Sequence, residues 1–113
     1  MSECSLSANE NKSVCPIART VDMIGGKYKA VILWHIKNET LRYSQLHKKI
    51  SCATDKMLAQ QLRELERDGL ITRKVYPVVP PKTEYSLTQK GLLIIPVLEA
   101  MREFEEKFSK GND

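Results

Sequence analysis

The hydrophobic period of this chain switches from helical to strand-like at Asp68-Gly69, and that switch limits the folds open to it. Before it, Leu58, Leu62 and Leu65 recur at helical spacing. At about 100° per residue they share one line of a helix. After it, Ile71-Thr72-Arg73-Lys74-Val75-Tyr76 is rich in β-branched residues and reads as a strand. Pro77-Val78-Val79-Pro80-Pro81-Lys82 cannot continue a paired strand, because proline lacks the donor. Thr83-Glu84-Tyr85-Ser86-Leu87 alternates and reads as the returning strand. An amphipathic helix, capped by Thr54 and stopped at Asp68-Gly69, thus runs straight into a hairpin with a proline-stiffened tip.

The segments around this unit are helical. Cys15-Pro16 opens a first helix that ends at Gly25-Gly26. A second is expected from about Lys27 to Lys37; its apolar residues cover most of its circumference, which makes it central to the core. Arg42-Tyr43 reads as short and extended, and Ser44 as the N-cap of a short third helix over Gln45 to Ile50. Thr88 caps a last helix to about Phe108, with Pro96 inside it. The expected fold is mainly α with a small β-hairpin: a winged helix-turn-helix with helical dimerisation elements at both ends.

With 113 residues, one domain is expected, over 14–108, between a flexible arm (1–13) and a flexible tail (109–113). No apolar run approaches a membrane span and no secretory signal is visible, so a cytoplasmic location is expected. The three cysteines, Cys4, Cys15 and Cys52, form no C-x-x-C pair, and His35 and His47 lack ligand spacing to them. A disulfide scaffold, a metal site and a cofactor are not expected. The net charge of +4 favours a polyanionic partner, although its placement matters more than its size.

That placement is informative on the fourth helix. Opposite its leucine line stand Lys56, Gln60, Arg63 and Arg67: three cations, one amide and no acid. Solvated faces normally mix both signs. Arg and Lys can bond guanine edges or phosphates and Gln can bond adenine, so this face suits a helix in a major groove. Thr54, as its cap, stands where free backbone N–H groups can hold a phosphate. Arg42, Lys48 and Lys49 on one side, and Arg73, Lys74 and Lys82 on the hairpin, are the candidate backbone and wing contacts; Lys74 and Lys82 could equally serve to keep an edge strand soluble.

The chain resembles the HxlR-type winged-helix transcriptional regulators, relatives of the MarR group. The resemblance rests on Cys15-Pro16-Ile17, Ile24-Gly25-Gly26-Lys27-Tyr28, Arg42-Tyr43-Ser44-Gln45-Leu46, the run from Lys56 to Leu65, Asp68-Gly69-Leu70-Ile71 and the run from Tyr76 to Thr88. It departs at Tyr28, where the family usually has Trp, and at Cys52, where it commonly has Gly. The resemblance implies a homodimer on a pseudo-palindromic double-stranded DNA operator, with the interface built by the first and last helices. The residues assigned to it are Ile17, Val21, Val97, Leu98, Met101, Phe104 and Phe108. It further implies an oxidant or electrophile as effector, sensed by Cys15. A helix N-terminus favours the thiolate, and the partner subunit's Cys52 is the candidate resolving thiol.

Two other classes compete with a DNA-binding regulator. A winged helix can be a protein–protein adaptor, but such a surface would expose apolar anchors where the cations stand. An enzyme would need a nucleophile–base pair, a phosphate loop or a metal cluster, and none has supporting spacing here.

Overall fold

Proline at the first helical position loses no hydrogen bond, and Pro16 opens α1 (Pro16–Ile24), which Gly25 closes. In this computed structural model, which describes residues 15–111, the elements that follow are α2 (Lys29–His35), β1 (Leu41–Arg42), α3 (Tyr43–Lys49) and α4 (Asp55–Arg67). β2 (Ile71–Tyr76), β3 (Lys82–Leu87) and α5 (Gln89–Gly111) complete the chain. The expected arm lies outside the described residues.

The expected hairpin gains a third strand. The sheet is antiparallel with the order β1-β3-β2, and β1 pairs Leu41 with Tyr85 and Arg42 with Glu84. β2 and β3 pair from Ile71–Leu87 out to Tyr76–Lys82. Since strand side chains alternate, Leu41, Ile71 and Tyr85 share the face that is buried on the helices. The core joins them to Ile32 and Leu33 of α2, Leu46 of α3, and Leu58, Leu62 and Leu65 of α4.

Three boundaries differ from the sequence reading, each for a local reason. α2 starts at Lys29 rather than Lys27, because Tyr28 has a non-helical backbone and donates its N–H to Gln61 Oε1 at 3.1 Å. α3 starts at Tyr43, and its N-cap is Arg42, not Ser44. β1 runs directly into this helix, and the Gln45 side chain accepts from the Arg42 N–H at 2.8 Å. α5 continues through residue 111, so residues 109–111 are helix and not tail. Ser109 donates to Glu105 one turn back at 2.6 Å, continuing the helical spacing of α5.

The joint between α4 and α5 is tightly specified. Gly69 has φ +79°, the left-handed conformation that closes a helix. Around it the Gly69 N–H bonds the Glu66 carbonyl and the Leu70 N–H bonds the Leu65 carbonyl, both at 3.0 Å. The same turn receives α5: Thr88 N–H bonds the Leu70 carbonyl, and Thr88 Oγ1 accepts from Gly91 N–H at 3.0 Å, as its place before the helix predicts. Gly91 packs on the Leu70 carbonyl so closely that a Cβ there would collide with the oxygen.

Alanine at position 91 would gain about 1 kcal/mol of helix propensity. The collision is with backbone and should outweigh that gain. Gly91→Ala is expected to destabilise the protein by about 1–3 kcal/mol in denaturant unfolding. Unchanged or raised stability would show that the α4–α5 joint is looser than described.

Candidate nucleic-acid interface

α4 begins with Thr54, whose Oγ1 accepts the Met57 N–H at 3.1 Å, and this cap fixes the first turn of the helix. From that start the leucine line turns inward and is fully buried. Lys56, Gln60, Arg63 and Arg67 all face solvent. Among the described residues neither Lys56 nor Arg63 is in an ion pair. Arg67 Nε lies 3.4 Å from Asp68 Oδ1, and Gln60 Nε2 donates to Glu64 Oε2 at 3.2 Å.

Two side chains that sequence reasoning passed over set the roll of this helix. Gln61, buried beside the leucines, accepts the Tyr28 N–H and lies over Gly26, where any Cβ would strike its amide. Lys29, only 4% exposed, places Nζ 2.7 Å from Glu64 Oε1. Glu64 therefore holds Lys29 with one oxygen and Gln60 with the other. Those two hydrogen bonds, Lys29 first, hold its carboxyl below the ordinary carboxylate range. The sequence signal for this pair is weak: Lys29 is the first residue of α2, ahead of the apolar run Ala30 to Trp34.

The turn between α3 and α4 has its own clamp. Tyr43 donates its hydroxyl to Asp55 Oδ1 at 2.8 Å, and His47 Nδ1 lies 3.3 Å from the same oxygen. His47 Nε2 faces the Ala53 carbonyl at 3.1 Å. Burial first, and then the bond to Asp55, push the Tyr43 phenol up to about 12, so its hydroxyl remains a donor at neutral pH. Lys48 and Lys49 stand exposed on α3 near this turn.

The structure splits the candidate wing cations between the two faces of the sheet. Arg73 lies on the α4 side and lines, with Arg63, Glu66 and Tyr85, an open groove of about 320 Å³. Arg42, Lys74 and Lys82 lie on the opposite face around Glu84, which pairs across strands with Arg42 and Lys74. Lys82 Nζ is 3.7 Å from Glu84 Oε2, and both lysines lie over the Tyr76 ring. At the tip Val79 is 99% exposed.

A second surface is apolar. Ile17 and Val21 of α1 and Val97, Met101, Phe104 and Phe108 of α5 are exposed, as are Leu92 and Leu93. Leu98, one helical position from Val97, differs from the rest of the expected set: it is buried in the core of the chain. Cys15 is the buried N-cap residue of α1 and is disulfide-bonded, whereas Cys52 is free and exposed. The bond seen here therefore does not join Cys15 to Cys52.

The profile of the HxlR-like helix-turn-helix family matches residues 23–113. A Fusobacterium mortiferum protein named as the regulatory protein MalR is 48% identical over 99 residues, which cover 87% of this chain and 93% of that one. The crystal structure of ytcD, named as an HTH-type transcriptional regulator, superposes with a TM-score of 0.82 at 40% identity, covering 86% of this chain and 99% of that one. The redox regulator HypR in its oxidised form gives a TM-score of 0.77 at 42% identity, covering 82% and 96%.

The Glu64 contribution has a defined pH window. Its folded value is lowered, so the stabilisation is complete above the unfolded value of about 4.3 and is lost as pH falls through the folded value. At neutral pH, Glu64→Gln leaves the Lys29 ammonium buried without its counter-charge and should cost about 1–3 kcal/mol. The gap between the two proteins in urea unfolding is expected to close below that pH. A gap that persists unchanged into acid would contradict the pairing.

Proposed function

This chain belongs to the HxlR-like helix-turn-helix family of transcriptional regulators, and from that premise we propose that it binds a two-fold-related DNA operator as a homodimer. The carrying observation is the outer face of α4, where Lys56, Gln60, Arg63 and Arg67 stand exposed without an acid on their line. In this reading α4 enters the major groove and its side chains bond base edges and phosphates. Thr54 and its capped turn, with Lys48 and Lys49, approach the backbone. Arg73 extends the contact along the groove beside Arg63. Arg42, Lys74 and Lys82 act on the flanking phosphates from the other face of the wing.

The apolar faces of α1 and α5 give such a dimer its interface. Phe104 and Phe108, stacked 6.3 Å apart and both exposed, supply the aromatic anchors typical of such surfaces. A closed two-fold dimer would set two α4 helices against successive major grooves. No helix of the described residues is long and apolar enough to cross a membrane. A regulator of this kind carries out no reaction on its DNA.

Redox control belongs to the same reading. HypR, a structural relative named as a redox regulator, has been solved in both oxidised and reduced forms. Here Cys15 is the N-cap residue of the helix that also presents Ile17 and Val21. Reduction of the Cys15 disulfide by two equivalents of a thiol, which leave as their own disulfide and free both protein thiols, or its re-formation by a two-electron oxidant that takes the two electrons and two protons, would reset the start of α1 and with it the dimer geometry.

Affinity for duplex DNA should fall linearly with salt on logarithmic axes. Arg63→Ala should lose about tenfold to a hundredfold in affinity for a selected operator, whereas Lys110→Ala, at the far end of α5, should not. Diamide should change operator affinity in wild type and leave Cys15→Ser unchanged. Salt-independent or absent binding would overturn the DNA reading. Equal affinity of oxidised and reduced wild type would remove the redox part alone.

A further inference from the structure

Asp55 is the first residue of α4, and its side chain is 76% exposed. An acid at this position is ordinarily explained by the helix dipole, which asks nothing of its orientation. Here the orientation is imposed from outside the helix. Tyr43 donates to Oδ1 at 2.8 Å and His47 Nδ1 stands 3.3 Å from that same atom. The tyrosine also reaches the Asp55 carbonyl, at 3.4 Å. On its other side the His47 ring places Nε2 3.1 Å from the Ala53 carbonyl. Both contacts fall on one oxygen. Oδ2 has no partner among the described residues and is presented at the leading end of the helix.

A carboxylate fixed at the entering end of a cationic helix would be repelled by phosphates. It is favourable against a duplex only where it meets a hydrogen-bond donor. In the major groove the donors on base edges are the exocyclic amines of cytosine and adenine, and cytosine N4 is the usual partner of Asp and Glu. Residues at the N-terminal end of a recognition helix are those that reach base edges.

We propose that Asp55 is a specificity-determining residue that accepts a hydrogen bond from cytosine N4 through Oδ2, once in each operator half-site, with Tyr43 and His47 as its positioning residues. This rests on the DNA-binding reading above and adds an acidic contact to a surface otherwise described by its cations. The carboxylate contributes little net affinity, since the base contact is offset by repulsion from neighbouring phosphates. Its effect is to exclude other bases at one position.

The test is selection of bound duplexes from a randomised pool by wild type, Asp55→Ala, Asp55→Asn and Tyr43→Phe, under reducing conditions, with affinity for a random duplex measured alongside. Wild type should enrich a two-fold motif with one cytosine per half-site favoured about tenfold or more, the discrimination of a good base contact. Asp55→Ala should lose that preference and no other. Asp55→Asn should move it toward adenine, which asparagine bonds through N6 and N7. Tyr43→Phe should weaken it several-fold while leaving random-duplex affinity unchanged. An Asp55→Ala motif identical to wild type at every position, with or without a uniform loss of affinity, would overturn the proposal and leave Asp55 a clamp of the turn. Failure of wild type to enrich any motif would overturn the operator reading as well.

Discussion

The Lys29–Glu64 ion pair is the interaction on which the orientation of α4 depends. An ammonium this buried is costly unless a counter-charge meets it, and Glu64 does so at 2.7 Å. Glu64 sits on the flank of α4, so the pair fixes the helix in rotation as well as in distance. Gln61, one position from the leucine line, adds a second tie to Tyr28. With both in place the leucines turn into the core and Lys56, Gln60, Arg63 and Arg67 turn out. A roll that broke the pair would strand a buried charge. The outward face is held by that penalty in addition to hydrophobic burial.

Much of this was legible in the sequence where a residue's own chemistry decides its conformation. Thr54 and Thr88 cap as their positions require, Gly69 adopts the left-handed turn that ends α4, and the prolines keep the wing tip out of the ladder. Legibility failed where a distant partner decides. Tyr28 leaves the helix for Gln61, thirty-three residues away. Leu98 is one position from Val97 on a helix whose apolar residues run nearly all round, and only packing shows which of the two is inside. The wing cations read as one group in the sequence, but strand alternation and the β1–β3 pairing divide them between two faces.

The molecule thereby presents two surfaces of opposite character. One is polar and cationic, on α4 and the sheet face beside it. The other is apolar, on α1 and the outer side of α5. The long α5 joins them, since its first turn is locked onto the Gly69-Leu70 turn at the end of α4 while its later turns carry Met101, Phe104 and Phe108. Cys15, the N-cap residue of α1, stands beside the apolar surface, at the start of the helix that carries Ile17 and Val21, rather than on the cationic one.

The most direct test of the proposed DNA-contacting face is amide chemical-shift perturbation of isotopically labelled protein titrated with a selected duplex. The expected shifts run from Thr54 to Arg67 and across the wing strands, with the exposed apolar positions of α1 and α5 unmoved. Shifts centred on Ile17, Val21, Phe104 and Phe108, with α4 silent, would contradict the assignment of the outer face of α4 as the DNA-contacting surface.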